Sequence, residues 1–421
     1  MSFARGPWVM AAGAFAYLIA VTNRSSLGVA TLEASERFDV TAAQLSTLAV
    51  AQLAVYAAMQ VPVGLLLDRF GARLLLVFGS LAMSLGQGIV AFSDQIAPAV
   101  GGRMLLGMGD AFVFISMIRL VNGWYSGAAA SRRQQLLTNV GQLGQAVSAI
   151  PFSALLHDQG WSSAFSVLAI VTLLLVVVSI VVVKNDRDSA AHQTQAKSLR
   201  NVAKYLLRNS RHPAVRMAFW THFTLQSATS VFILLWGYPF LVNGQGFSRE
   251  AASLIIGSFV IMGFIVGPFV STVCSRYPHQ RDRAVIIGSV AIVLAWSMTI
   301  FGPESVPIPI LVFLIVVLSS SAPFSMIAFD YTRSFVSKAS LGATNGLVNI
   351  GGFLATFSAM FAAGFILDVV QEAQSKAGID APLYSTLGFR WAMSVQFLVV
   401  AIGLTMYLVE RGRLRIYLLK E

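Results

Sequence analysis

Long runs of apolar residues, broken by short polar stretches, organise the whole chain. Each run is near or above the ~20 residues that a helix needs to cross a hydrocarbon core of ~30 Å. Twelve such runs are counted, over 8–30, 41–66, 73–93, 97–125, 134–156, 162–184, 214–241, 250–273, 284–302, 307–331, 341–368 and 386–409. Helices satisfy their own backbone hydrogen bonds in lipid, so the expected fold class is an all-α polytopic membrane protein with twelve transmembrane helices. The start, MSFARGPWV, has no small-residue cleavage site after its apolar run, and the first span is expected to stay in the chain.

The longest polar stretch runs from Lys184 to His212, close to the midpoint, and parts six runs from six. It predicts an N-terminal six-helix bundle over 1–185, a cytoplasmic linker over 186–212 and a C-terminal bundle over 213–421. Within the linker, Leu199, Val202 and Leu206 share one side of a helix, with Arg200, Lys204 and Arg208 elsewhere. This pattern fits an interfacial helix or a solvated one. The two halves also repeat at an offset of about 207 residues. Pro62 in VPVGLLLDRF answers Pro268 in VGPFVSTVCSR, and GQLGQ (Gly141–Gln145) answers VNIGG (Val348–Gly352). Two related bundles with a site between them are the arrangement expected of an alternating-access transporter.

Composition agrees and adds an orientation. The 421 residues are 56% hydrophobic and 11% charged, with a mean hydropathy of +0.73, far above that of a soluble domain. Of 29 Lys and Arg, 22 fall on the face that carries both termini, while the opposite loops hold mainly acids such as Glu33, Asp94, Glu250 and Asp368. Both termini are therefore expected in the cytoplasm, and the cell membrane is the expected location. The same bias accounts for the net charge of +11, so no nucleic-acid partner is expected. One cysteine, Cys274, leaves no intrachain disulfide and no cysteine cluster for a metal.

After the second run the chain reads GLLLDRFGAR, Gly64 to Arg73. Gly64, Asp68, Arg69, Gly71 and Arg73 match Gly-x-x-x-Asp-Arg-x-Gly-x-Arg, and here the sequence resembles the major facilitator superfamily. The one departure is Ala72, where the family usually has a basic residue. The resemblance implies a twelve-helix fold in two pseudo-symmetric bundles, a cavity lined by spans one, four, seven and ten, and a conformational latch at this cluster.

The fourth run carries two charges in RMLLGMGDA. Arg103 and Asp110 lie seven residues apart, on one helix face but ~10.5 Å apart along the axis, too far for a simple pair. Each must find a partner on another helix or meet water; the acid can instead take up a proton. Asp110 reads either as the carrier of a coupled proton or as a structural hydrogen-bonding group, and Arg103 as fixed packing glue or a coupling residue. The continuation RLVNGWYSGAAASRRQQL resembles the organic-anion:cation symporter branch of the superfamily. That resemblance implies proton coupling at Asp110, seven residues after the helix-four arginine.

The first run holds Tyr17, Asn23 and Arg24, which are candidate substrate-binding residues. Arg24 lies beyond the centre of the span and can either snorkel outward or present its planar fork to a carboxylate or phosphate. The branch resembles this stretch too and implies that Arg24 binds substrate; Asn23 stands where the branch carries an acid. In the seventh run His222 and Gln226 are spaced i, i+4 and are candidate substrate contacts, with packing as the alternative for His222. The amides Asn139, Gln142, Gln145, Asn345 and Asn349 among glycines read first as helix–helix contacts. Span five lacks Gly-Pro-x-x-Gly-Gly, which argues against drug efflux; no P-loop and no nucleophile–His–acid constellation is present, which argues against ATP-driven transport and enzyme activity.

The expected function is secondary transport of a small organic solute, anionic and taken up with protons, by a monomer that uses no cofactor and no metal. The alternatives are an efflux or facilitated carrier of a neutral or zwitterionic solute, and a non-transporting membrane sensor on the same fold.

Overall fold

The computed structural model describes residues 6–183 and 206–419, apart from Ser126, Glu304, Lys338 and Ala339; a few side chains, Asp68 among them, are also left undescribed. The described residues are helical with no strand. Most of the linker, 184–205, and with it the interfacial-helix expectation, lies outside them.

Eleven of the described helices are long and apolar enough to cross a membrane. The run expected over 134–156 is not among them, and the sequence gives the reason. Its helix α5 (Gly127–Val147) carries Arg132, Arg133, Gln134 and Gln135. Pro151 lacks an N–H, and around it the helix widens to π geometry over Ser148–Phe152 before resuming as α6 (Ser153–Gln159). The other helices of this part are α1 (Gly6–Val29), the short α2 (Thr31–Phe38), α3 (Ala42–Phe92), α4 (Ile96–Trp124) and α7 (Trp161–Val181). The runs expected over 41–66 and 73–93 are two helical segments of α3, which meet at a kink where Gly71 leaves helical geometry with φ 77° and ψ 165°. Only glycine adopts that conformation without strain, so the motif's glycine supplies the corner between two spans.

The later helices are α8 (Pro213–Val231), α9 (Gly237–Pro239), α10 (Arg249–Arg276), α11 (Arg281–Ile300), α12 (Ile308–Ser325), α13 (Ile327–Phe335), α14 (Leu341–Lys376), α15 (Thr386–Met393) and α16 (Val395–Leu418). Pro213 opens α8 at a position where a missing N–H is harmless, and His212 Nδ1 accepts from the Ala214 amide at 3.2 Å. π-helical turns over Phe232–Trp236 and Phe240–Gly244 flank α9. Pro323 ends α12 two residues later, and α13 restarts after Met326.

Contacts divide the chain into two compact units, Met1–Asp39 with Ala51–Ser198, and Val40–Val50 with Leu199–Glu421. The first turns of α3 count with the second unit, where the Asp368 carboxylate accepts from the Ala42 and Ala43 amides at 2.7 and 2.9 Å. Inside the first unit, small residues let helices meet at the backbone. Gly86 and Gly102 face each other across α3 and α4, as do Gly79 and Gly109, and a Cβ on any of the four would run into the opposite carbonyl. On another side of α4, a Cβ on Gly107 would overlap the Gln52 carbonyl. Helix α4 is thus gripped at three glycines, and it carries both charges of the fourth run.

Candidate functional site

Arg24 and Asp110, 86 residues apart in sequence, meet in the first unit. Arg24 donates from Nε to Asp110 Oδ2 at 2.7 Å and from Nη2 to Oδ1 at 2.8 Å, a bidentate fork. The side chains are 15% and 1% exposed, so the pair is nearly withdrawn from solvent. Tyr56 of α3 lies beneath the guanidinium, 4.7 Å from ring centroid to Cζ. A π face adds attraction to a cation that already has its carboxylate. Arg24 therefore does not snorkel: it turns inward, to the acid on α4.

Arg103, seven residues before Asp110, is 1% exposed and has no carboxylate in its hydrogen-bond range among the described residues. Its Nη1 reaches the Asn23 carbonyl and Ser26 Oγ, and its Nη2 the Arg24 carbonyl, all at 3.5 Å. These bonds are long, and Nε has no partner among the described residues. Arg103 thus holds the turn of α1 that presents Arg24. The same turn is tied on two other sides. Asn23 Nδ2 donates to the Ile19 carbonyl at 2.8 Å and to Thr172 Oγ1 of α7 at 2.9 Å. Gln87 Nε2 of α3 donates to Ser26 Oγ at 3.3 Å.

Tyr17 stands two turns before Arg24, its ring 5.2 Å from that of Phe114. Gly141 of α5 backs it so closely that a Cβ there would fall within the ring. Of the residues singled out from the sequence, the structure therefore gathers Tyr17, Asn23, Arg24, Arg103 and Asp110 in one unit. His222 and Gln226 lie in the other. There His222 Nε2 is 3.1 Å from Asn349 Oδ1, its ring is 5.1 Å from Phe329, and the side chain is buried. Gln226 donates to Ser230 Oγ and accepts from Ser325 Oγ, both at 3.0 Å. Both side chains are thus engaged by polar groups of neighbouring residues.

At the motif after the second span, Gly71 makes the corner, Gly64 faces open space and Arg69 is exposed over the Phe70 ring. Arg73 donates to the Ile180 carbonyl at 2.5 Å; the Asp68 side chain lies outside the description. Tyr56, Gln87 and Thr172 were not legible as site residues. They are uncharged, and an aromatic or amide in an apolar run has no signal until its partner helix is known.

A second polar cluster lies in the later unit. Asp282 accepts from the hydroxyls of Tyr331 at 2.7 Å and Tyr407 at 2.9 Å, and from Arg411 Nε at 2.5 Å. It joins the start of α11 to α13 and α16, and its residue types suit a tie between helices.

A polytopic helical chain in two compact units, with a buried ion pair and a further buried arginine in one of them, has the build of a solute transporter. Residues 13–360 match the family model of the Major Facilitator Superfamily, and the chain belongs to that superfamily of transporters. It is 24% identical over 301 residues to the probable sulfoacetate transporter SauU of Cupriavidus necator, covering 68% of this chain and 69% of that one. It is 21% identical over 381 residues to the probable galactarate/D-glucarate transporter GarP of Escherichia coli, covering 82% and 84%. The fold matches that of a bacterial homolog of the human lysosomal transporter Spinster, solved in an inward-facing conformation, with TM-score 0.76, 12% identity, and 96% and 97% of the two chains covered.

Proposed function

We propose that the chain is a secondary active transporter that carries a small organic anion together with a proton by alternating access. One observation carries the reading: Arg24 is paired with Asp110, a second guanidinium, Arg103, is held at the same turn of α1 with no carboxylate in its hydrogen-bond range among the described residues, and all three are largely or fully buried. Two positive charges against one negative leave an excess of one positive charge. In a medium of low dielectric an anion offsets that excess, and a neutral solute does not. Protonation of Asp110 releases the two N–H donors that Arg24 now gives it, and their planar fork fits a carboxylate or sulfonate. Proton and anion therefore assist each other's binding, the sign required for symport. The names of the relatives, a sulfoacetate and a galactarate/D-glucarate transporter, point to the same class of solute.

The roles follow. Arg24 binds the anionic group, with Tyr17 beside it; Asp110 carries the proton; Arg103, through Asn23 and Ser26, positions the turn of α1. His222 and Gln226 contact the uncharged part of the solute. The cluster Gly64, Asp68, Arg69, Gly71 and Arg73 serves as a conformational latch, supported by the corner at Gly71. The chain acts as a monomer in the cell membrane, with both termini cytoplasmic.

The test is uptake into proteoliposomes under an inward proton gradient, with sulfoacetate, D-glucarate and a neutral sugar as solutes. An anion accumulates against its gradient in the wild type. In Asp110→Asn, accumulation driven by the proton gradient is lost while downhill exchange of the anion persists. Full gradient-driven accumulation in that variant removes the proton role from Asp110. Flux of the sugar alone, indifferent to pH, overturns the anion reading in favour of a facilitated carrier.

A further inference from the structure

The buried charge excess has a cause one helix away from the ion pair. Gln87 of α3 is 0% exposed, and so is Ser26, the residue it reaches. Ser26 Oγ receives Gln87 Nε2 at 3.3 Å and Arg103 Nη1 at 3.5 Å, so amide and guanidinium stand on either side of one hydroxyl. Each is also left incomplete. Gln87 Oε1 and Arg103 Nε, an acceptor and a donor, are both buried with no partner among the described residues. A glutamate has the length of a glutamine and would give the guanidinium a counterion at this place. The chain has the neutral amide instead, and Arg103 keeps its charge uncompensated.

We infer that Gln87 is a specificity-determining residue: its neutrality keeps the net charge of the buried group formed by Arg24, Arg103 and Asp110 positive, and so selects an anionic solute. The inference rests on the anion reading above and adds to it the residue that sets the charge. Gln87 acts through Arg103 and the field at Arg24, without touching the solute. Removing the excess charge from a site of intermediate dielectric weakens binding by on the order of tenfold or more for each negative charge of the solute at separations below ~10 Å.

The test compares Gln87→Glu with Gln87→Met in the full-length protein, reading anion affinity and thermal stability together. Both variants lose the amide bond to Ser26, and only the first adds a negative charge. The probes are sulfoacetate and D-glucarate, with a neutral sugar as control. The expected result is opposite movement. Gln87→Glu unfolds at a higher temperature than Gln87→Met, because Arg103 gains a partner, yet binds the anions on the order of tenfold more weakly. A merely structural role would move both quantities the same way. Equal anion affinity in the two variants overturns the inference, as does a lower melting temperature for Gln87→Glu. Failure of the wild type to bind either anion overturns the anion reading itself and Gln87's part in selectivity with it. A raised melting temperature for Gln87→Glu would then still establish that residue 87 faces an unpaired Arg103.

Discussion

Arg24 contributes shape as well as charge: two parallel N–H donors meet the two oxygens of Asp110 at 2.7 and 2.8 Å. Lysine keeps the charge and loses the fork. Arg24→Lys is therefore expected to weaken anion binding by on the order of tenfold, measured by titration of the purified protein with sulfoacetate or D-glucarate. An unchanged affinity would reduce Arg24 to a point charge. The two partners were visible in the sequence because each is a charge in an apolar run, where burial is costly. Their pairing was not visible. Helix periodicity separates Arg103 from Asp110 along one helix, but nothing in a single sequence says which turn of α1 meets which turn of α4. Tyr56, under the guanidinium, left no trace for the same reason.

At the scale of helices, α4 is held by backbone contact at Gly102, Gly107 and Gly109. Gly107→Ala puts a Cβ against the Gln52 carbonyl, where only backbone can give way. It is expected to destabilise the protein by about 1–3 kcal/mol. Gly101→Ala, on the same helix but facing open space, is the control and is expected to stabilise by about 0.5–1 kcal/mol. Thermal unfolding of the two variants in one detergent decides, and equal melting temperatures would show that α4 has room to shift. Most of the elements could be read from their apolar runs, and so could the corner at Gly71. Two features could not. The break of span five into α5, a π turn and α6 reads in the sequence as one apolar run, and the π-helical turns over Phe232–Trp236 and Phe240–Gly244 belong to no local pattern of hydrophobicity.

For the molecule as a whole, the span assignment puts 22 of 29 Lys and Arg on one face, and the proposed topology has both termini on the cytoplasmic side. A reporter that is fluorescent only in the cytoplasm, fused in turn to each end, is expected to light in both fusions; one dark fusion would refute the even number of crossings. A repeat at an offset of about 207 residues is read from prolines and glycines in the sequence, whereas the division that gathers Arg24, Arg103 and Asp110 in the first unit is not, since it depends on partners. That division has an electrical consequence. On the reading proposed above, the empty carrier bears one positive charge at Arg24, Arg103 and Asp110. Loaded with one proton and a monoanion it bears one still, so the cycle moves no net charge and the membrane voltage leaves it untouched. A dianion carried with a single proton breaks this balance. Its uptake would move one negative charge towards an already negative interior, against about 2.3 kcal/mol for every 100 mV. The number of carboxylates or sulfonates on the solute thus decides whether this transporter feels the voltage of the membrane it sits in.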